Sequence, residues 1–212
     1  AGQQFFARYS LHRAMRTKYS LPYTPSGPTS TIKQFYELFD QPNDKRNAIW
    51  LTGQQFLFNG SPIIVKTTNI GYDQDFVGTD DEKKATYNFH LTLTPDIVLR
   101  DPTKFELGND EKAWAQGYRC NKFYPDSTSK TRNQSNDVPV FRYADILLMK
   151  AEALAQTTSP ENPENGVAAL ELIDKIRTRA NALEATEQGP DPGEVREITD
   201  YILEERGREL AF

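Results

Sequence analysis

Apolar residues recur at steps of three and four over the last third of the chain, which is the spacing of one face of a helix. In RYADILLMKAEALAQ, residues 142–156, the apolar side is formed by Ala144, Leu147, Leu148, Ala151, Leu154 and Ala155. The charged residues Asp145, Lys150 and Glu152 lie largely outside that side. A membrane-spanning helix would not tolerate these three charges within so short a segment. The pattern therefore predicts an amphipathic helix that packs in a protein core.

Two further helices are predicted after this one. The turn TTSPENPENG leads into VAALELIDKIRTRA, in which one face carries Val167, Leu170, Ile173, Ile176 and Ala180. Because the joining loop is short, the first two helices are expected to lie antiparallel, with alanines that let the backbones approach closely. The third helix follows GPDPG and has periodic apolar residues at Val195, Ile198, Ile202 and Leu210.

The ends of the chain suggest a piece of a longer protein. The third helix reaches Phe212 without a C-terminal cap, and the chain opens on AGQQFF without an initiator Met. We therefore expect it to be truncated at both ends.

The first 138 residues are rich in aromatic residues, Gly, Pro, Asn and Thr, and their periodicity is weak. TIKQFYELFD predicts a short amphipathic helix whose apolar side is formed by Ile32, Phe35, Leu38 and Phe39. Asn59-Gly60 predicts a hairpin turn between two strand-like runs. ATYNFHLTL alternates as a strand does, with Tyr87, Phe89 and Leu91 on one face. The chain is thus divided into a loop-rich, ligand-bearing region, 1–138, with short helices and a hairpin, and a helical-hairpin region, 139–212.

Composition and charge exclude several classes of function. A formal net charge of -5 gives no basic surface for nucleic acid. One cysteine, Cys120, excludes an internal disulfide framework, and with only His12 and His90 it argues against a Cys/His zinc site. Neither histidine lies in a nucleophile motif, and no apolar run is long enough to span a membrane.

Several motifs resemble those of the SusD/RagB family. One family motif consists of a Pro-containing segment followed by the first carboxy-terminal helix. The residues that match this motif are Asp137, Pro139, Arg142, Tyr143, Ala144, Asp145, Leu147, Leu148, Met149, Ala151, Glu152 and Ala153. Later matches are Asp174, Arg177, Arg179 and Ala180, followed by Glu205, Arg206, Glu209 and Leu210. Upstream, the segment GYRCNKFYPD is similar, as are Phe35, Tyr36, Phe39, Asp44 and Arg46. The resemblance covers nearly the whole chain, but the family's lipobox cysteine is absent, and Cys120 lies too far along the chain to replace it.

The resemblance implies a mainly α fold, with tetratricopeptide-like helical hairpins, long irregular loops and a few short strands. It also implies that the regions 1–138 and 139–212 together form one SusD/RagB-type domain, truncated at both ends. It implies a non-enzymatic lipoprotein exposed on the bacterial outer membrane and held there by a lipid anchor that this chain lacks. Such a protein binds a glycan or another nutrient, without a cofactor, and delivers it to a TonB-dependent, SusC-like transporter. The alternatives are a helical-repeat scaffold that binds another protein, and a glycoside hydrolase.

Candidate ligand-binding residues follow from the chemistry of sugars. Glycan binding needs flat aromatic faces flanked by polar groups. The loop-rich region offers Tyr72 and Phe76 in its acidic loop, Trp114 in EKAWAQGY, and Trp50. The alternative for each of these aromatic side chains is that it packs in the hydrophobic core and does not contact a ligand. The core is favoured for Trp50, which lies in a strand-like run, whereas Tyr72 and Trp114 have polar neighbours.

The segment DQDFVG, residues 73–78, resembles the start of an EF-hand. Val77 and Lys84 would then occupy positions five and twelve of the loop, where oxygen ligands are needed. A calcium site is therefore not expected there.

A dense run of charges near the end of the chain consists of Glu204, Glu205, Arg206, Arg208 and Glu209. One interpretation is that two of these acids form the catalytic pair of a glycosidase. Nothing in the sequence supplies the apolar pocket that would raise the pKa of one acid. We therefore expect helical ion pairs, such as Glu204 with Arg208. A structural role in bridging the helices to the loop-rich region is likewise expected for Arg142, Asp145, Arg177 and Arg179.

Overall fold

The structure, a computed structural model, describes residues 6–67 and 87–211. Its α-helices in chain order are α1 (Phe6–Ser10), α2 (Lys33–Tyr36), α3 (Glu111–Trp114), α4 (Tyr143–Ala155), α5 (Glu164–Ala180), α6 (Ala185–Gln188) and α7 (Val195–Leu210). Its strands are β1 (Trp50–Leu51), β2 (Gly53–Gln54), β3 (Ile64–Thr67), β4 (Tyr87–His90), β5 (Thr92–Leu93) and β6 (Arg119–Cys120). Short 3₁₀ helices cover Arg13–Arg16, Lys45–Ile49 and Pro102–Lys104. The fold is mainly helical with a few short strands, as predicted.

The described residues form two compact units. The second unit consists of Glu37–Ala48 and the chain from Pro139 onward, and the first unit contains the remaining residues. The 37–48 segment thus belongs to the helical unit, although it precedes the boundary predicted at residue 138.

Short antiparallel strand pairs organise the first unit. β1 pairs with β6, β2 with β5, and β3 with β4. The predicted hairpin turn is confirmed: Gly60 has φ +83, and its N–H donates to the Leu57 carbonyl at 3.0 Å. Just outside the turn, Phe56 and Pro62 form an antiparallel bridge. The hairpin itself is short because β3, which follows it, pairs with β4 instead.

The core of the first unit lies between α1, the Arg13–Arg16 turn and the strands. Its buried members are Ala7, Leu11, Met15, Tyr19, Leu21, Ile63, Leu91, Leu93 and Ala115. The predicted alternation along β4 and β5 is confirmed, since Leu91 is fully buried whereas Asn88 and His90 are exposed. The period of two therefore identified the buried face of this strand.

The predicted helix TIKQFYELFD is only partly correct. α2 covers only Lys33–Tyr36, and Ile32, which was placed on the apolar side, is 56% exposed. Thr31 is buried and pairs with Tyr118 in an antiparallel bridge, so the chain is extended there and consecutive side chains point to opposite sides. Phe39 is buried as expected, but it follows the helix and belongs to the second unit.

Helices α4, α5 and α7 build the core of the second unit. Its buried members are Leu147, Leu148, Ala151, Ala155, Ala169, Leu170, Leu172, Ile173, Ile176, Ala185, Ile198 and Ile202. Arg142 before α4 and Arg179 near the end of α5 both bind Glu209, whereas the amide of Asn165 near the start of α5 donates to Thr157 after α4. The first two helices are therefore antiparallel, as predicted.

One residue of the predicted stripe on α5 lies off the buried face. Val167 is 40% exposed, whereas its neighbour Gly166 is buried against Pro192 and Ile198. Successive helical residues are rotated by about 100°, so a face that contains Gly166 and Leu170 leaves Val167 at its margin. No helix in the described ranges is long and apolar enough to cross a bilayer.

Buried ion pairs connect the helices of the second unit. Glu205 and Glu209 on α7 are almost fully buried, and they accept hydrogen bonds from Arg46, Arg142, Arg177, Arg179 and Arg208. The predicted pair of Glu204 with Arg208 is confirmed, with 3.1 Å between Nη2 and Oε2. Arg206 binds Asp145 at 2.8 Å.

The predicted bridge from the helical arginines to the loop-rich region takes a different form. Arg142 and Arg179 donate to Glu209, and Arg177 donates to Glu205 and to the Leu183 carbonyl. These contacts therefore hold helices to one another. The bidentate pair is made by Arg46, which binds Asp44 through Nε and Nη2 and reaches Glu205 through Nη1.

Candidate functional site

A cavity of about 440 Å³ opens into the first unit. Its lining residues are His12, Arg13, the loop 24–28, Ser30, Leu107, Gly108, Ala113, Trp114, Gln116 and Arg119. Pro25 and Pro28 restrict the loop, and between them Gly27 adopts φ +57. A Cβ at Gly27 would lie 3.0 Å from the Leu11 carbonyl oxygen, so a larger residue would be both strained and crowded there.

Trp114 lies at the end of α3 and forms part of the cavity wall. The helix is short, but its N-terminus is fixed by Asp110, whose carboxylate accepts from the Ala113 N–H at 2.8 Å. Asp110 is fully buried and is itself held by Arg100, with 2.5 Å between Nη1 and Oδ2. The capped turn therefore sets the position of the indole.

Arg13 stacks on Trp114, with its guanidinium carbon 4.4 Å from the ring centroid. The same guanidinium forms an ion pair with Glu111, whose side chain is fully buried. A cation over an indole face is attracted by the ring quadrupole, and an opposite charge below it fixes its position. The result is an aromatic wall with a guanidinium stacked on one face of the indole.

His12 is the neutral polar group of the site. Its Nδ1 accepts from the Ala14 N–H at 3.2 Å, so in the neutral ring Nε2 carries the proton and faces Glu111 at 3.9 Å. Burial, followed by the charges of Arg119 and Arg13, lowers the pKa of His12 to about 3. His12 is therefore uncharged near neutral pH.

Arg119 underlies the cavity and is only 4% exposed. Its guanidinium donates to three backbone carbonyls, those of Gly27 at 2.8 Å, Thr29 at 2.7 Å and Trp114 at 2.6 Å. These bonds connect the proline-flanked loop to the end of α3 and so shape the cavity. Burial lowers the pKa of Arg119 to about 10, which still leaves the side chain charged near neutral pH.

The lining suits binding better than hydrolysis. An indole, the hydroxyls of Ser26 and Ser30 and the amide of Gln116 supply an apolar face with polar groups around it. No aspartate or glutamate occurs among the lining residues in the described part of the chain. The two acids that a glycosidase needs are therefore not provided by this cavity.

The four predicted ligand-binding aromatics have different positions. Trp114 lines the cavity, whereas Trp50 is only 7% exposed and packs edge-on against Phe35 and Tyr36, with centroid separations of 6.2 and 6.1 Å. Tyr72 and Phe76 lie outside the described residues, as does the EF-hand-like segment. The structure thus does not bring Trp50 and Trp114 into one cavity.

The residues that complete the site were not identified from the sequence. His12 and Arg13 lie in no motif, and Arg119 lies in the family-like segment GYRCNKFYPD without any indication of a binding site. Their relation to Trp114 depends on contacts between distant segments. The hydrogen bonds of Arg119 to the loop around Gly27 join positions that differ by about ninety in sequence. The cluster of prolines in SLPYTPSGPTS is the available signal, and it predicts a loop without indicating that the loop borders a cavity.

A second group of aromatics lies on the surface of the first unit. Tyr19 contacts Phe58 and Tyr124 edge-on, with centroid separations of 5.7 and 5.4 Å. Phe58 is 70% exposed and Tyr124 is 52% exposed, and the Lys18 ammonium lies 5.4 Å from the Phe58 ring. This group is a second surface that could stack on a sugar.

The charged residues on α7 form ion pairs within the second unit. Glu205 and Glu209 lie within the second unit and each contacts several arginines. Both carboxylates are thus surrounded by guanidinium groups, whereas the general acid of a glycosidase needs an apolar environment. The predicted ion pairs of this charged run are therefore confirmed.

Comparison with known proteins identifies the family. The model of the SusD family matches residues 24–212. A 97-residue segment is 37% identical to the SusD-like protein P38 of Formosa agariphila and covers 43% of this chain and 18% of that protein. The match thus spans less than a fifth of that relative's length. No solved structure matches the chain. Because the family model covers most of the sequence, the chain belongs to the SusD family.

Proposed function

We propose that this chain is part of a non-catalytic protein that binds a glycan at the bacterial cell surface and delivers it to a TonB-dependent outer-membrane transporter. Membership in the SusD family supports this class of function. The observation that carries the proposal is the cavity whose lining combines Trp114 with the hydroxyls of Ser26 and Ser30 and the amide of Gln116. Aromatic faces bind the apolar side of sugar rings, and the polar groups bind their hydroxyls.

Binding to a panel of neutral and acidic polysaccharides, measured by affinity electrophoresis and calorimetry, tests the proposal. At least one polysaccharide should bind, and Trp114→Ala should weaken that binding by about tenfold or more, which corresponds to about 1.4 kcal/mol. Phe105→Ala is a matched control, since Phe105 is 82% exposed and does not line the cavity. Incubation with the bound polysaccharide should release no reducing sugar.

The surface group of Tyr19, Phe58 and Tyr124 provides a discriminating comparison within the same experiment. If that group binds the glycan, Phe58→Ala loses affinity and Trp114→Ala does not. Such a result would retain glycan binding as the function and reject the cavity as its site. A full panel without any binding would reject the function itself.

A scaffold that binds another protein is the second candidate. It is favoured by the lead into α4 and its first residue, where Val140 is 84%, Phe141 79% and Tyr143 75% exposed. Large apolar side chains exposed side by side are typical of interaction surfaces. In that case the double variant Phe141→Ser, Tyr143→Ser should abolish capture of the transporter from solubilised outer membranes, while no polysaccharide in the panel binds.

A further inference from the structure

The cavity carries more positive than negative charge. Arg119 is 4% exposed, and its described hydrogen bonds all go to backbone carbonyls, which are dipoles and not charges. No carboxylate in the described residues forms a salt bridge with Arg119. Its buried Nε, moreover, has no hydrogen-bond partner among them. A charged group removed from water and left without a counterion is energetically costly.

The other charges around the cavity do not offset that of Arg119. Glu111 is paired with Arg13, and Asp110 is paired with Arg100. His12 adds no charge, because it is neutral. Because Glu111 offsets the charge of Arg13, the guanidinium of Arg119 leaves one positive charge in excess among the described residues.

The two cations differ in accessibility. The side chain of Arg13 is 43% exposed and stacks over the Trp114 ring, whereas Arg119 is only 4% exposed. When the plane of a guanidinium stacks on an aromatic face, its N–H groups lie around the rim of the guanidinium. There they can still donate hydrogen bonds to an oxyanion. Ser26 and Ser30 also line the cavity and can donate further hydrogen bonds.

Building on the proposed glycan-binding function, we infer that the cavity selects an acidic sugar, whose anionic substituent is bound by Arg13 with Arg119 beneath it. The sugar ring stacks against the indole wall, and the anion supplies the counterion that the buried guanidinium lacks. A neutral sugar of the same shape would leave that charge uncompensated. The bound class is therefore a glycan with carboxylate or sulfate groups.

Calorimetry with matched oligosaccharides tests this inference. The probes are trigalacturonate, its fully methyl-esterified form, which has the same shape without the charge, and a sulfated trisaccharide. At least one charged probe should bind about tenfold or more tightly than the ester, since hydrogen bonds to charged groups contribute more than neutral ones. Trigalacturonate and the sulfated probe separate the two possible anionic groups.

Two arginine variants sharpen the result. Arg13→Gln should reduce the ratio of acid to ester affinity by about tenfold. Arg132→Gln removes the same charge from an exposed position outside the cavity lining and should keep that ratio. Arg119→Gln, provided that its circular dichroism matches the parent, should reduce the ratio as well.

The outcomes separate this inference from the proposed function. Equal affinity for the acids and the ester, or a ratio unchanged in Arg13→Gln, would overturn acidic selection and leave glycan binding intact. Preferential binding of neutral polysaccharides would likewise overturn acidic selection without rejecting glycan binding. The absence of binding to every charged and neutral glycan would instead reject the proposed function.

Discussion

Arg177 on α5 and Glu205 on α7 form an ion pair with 2.7 Å between Nη1 and Oε2, although their side chains are only 1% and 0% exposed. Arg177 also donates from Nε to the Leu183 carbonyl, and Glu205 accepts further hydrogen bonds from Arg46 and Arg208. Each buried charge therefore has several partners. Such a cluster holds its elements in one arrangement, because any displacement would leave a charge unpaired in the interior.

Replacing Arg177 with Ala should destabilise the protein by about 3–5 kcal/mol, because the buried Glu205 carboxylate loses a charged partner. Urea unfolding followed by circular dichroism measures the change. Arg196→Ala is the matched control, since Arg196 faces Asp200 at 3.8 Å with both side chains mostly exposed. It should change stability by less than about 0.5 kcal/mol. Equal effects of the two variants would contradict a structural role for the buried pair.

Arg46 holds the 37–48 segment in place. It binds Asp44 within that segment and Glu205 on α7, at 2.7 and 2.6 Å. Burial opposes its charge, but the hydrogen bonds and charges of Asp44 and Glu205 prevail and raise the pKa of Arg46. Arg46→Ala should therefore loosen the segment.

Hydrogen exchange measures this loosening directly. In Arg46→Ala, amide protection of residues 38–47 should fall by about tenfold or more, equivalent to about 1.4 kcal/mol. Lys45→Ala, an exposed neighbour, should leave that protection unchanged. A uniform loss of protection over all helices would instead mean that Arg46 stabilises the whole unit and not this segment in particular.

Patterns with a local cause were predictable from the sequence. The buried positions of α4 follow from a period near 3.6, and the buried Leu91 follows from a period of two. The exceptions, Ile32 and Val167, lie at the margin of an element, where a single bridge or one close backbone contact decides which side faces the core. Periodicity carries no information about such contacts.

Contacts between distant segments were not predictable. Arg46 meets Glu205 across 159 positions, and Arg13 meets Trp114 from the opposite end of the first unit's sequence. The family motifs had indicated Arg46, Arg177 and Glu205 one by one, but not that they bind one another. Half of the predicted aromatic site, Tyr72 and Phe76, lies outside the described residues and stays a prediction, as does ligand binding by Trp50.

Acidification should destabilise the protein through His12. In the folded protein, burial and then the charges of Arg119 and Arg13 lower its pKa from 6.5 to about 3. Between these values the unfolded chain binds a proton that the folded protein does not, so lowering the pH favours unfolding. The contribution of neutral His12 to the free energy of unfolding is therefore complete above pH 6.5. It declines by at most about 1.4 kcal/mol per pH unit as the pH falls towards 3.

Urea unfolding at a series of pH values from 7.5 to about 4.5 tests this dependence. His12→Gln, which keeps an acceptor for the Ala14 N–H, should have a flatter stability profile than the parent. His90→Gln serves as the control, because His90 is exposed, and its profile should follow that of the parent. Parallel profiles for all three proteins would show that His12 is not the source.

Gly166 is required where α5 approaches the turn before α7. Its N–H donates to the Thr158 hydroxyl at 3.2 Å, and that hydroxyl donates to the Pro192 carbonyl at 2.8 Å. A Cβ at Gly166 would collide with the Pro192 carbonyl oxygen and would lie 2.9 Å from Ile198 Cδ1. Close packing at this point therefore depends on the missing side chain, although glycine lowers helix propensity.

Gly166→Ala places these two effects in opposition. Helix propensity would favour alanine by up to about 1 kcal/mol, whereas the displacement of a backbone carbonyl in a packed region costs about 1–3 kcal/mol. We expect a net loss of stability in urea unfolding. Val167→Ala, at the neighbouring exposed position, gains propensity without a clash and should be neutral or slightly stabilising. If Gly166→Ala were the more stable variant, propensity would outweigh packing, and the contact of α5 with Pro192 would not limit the fold.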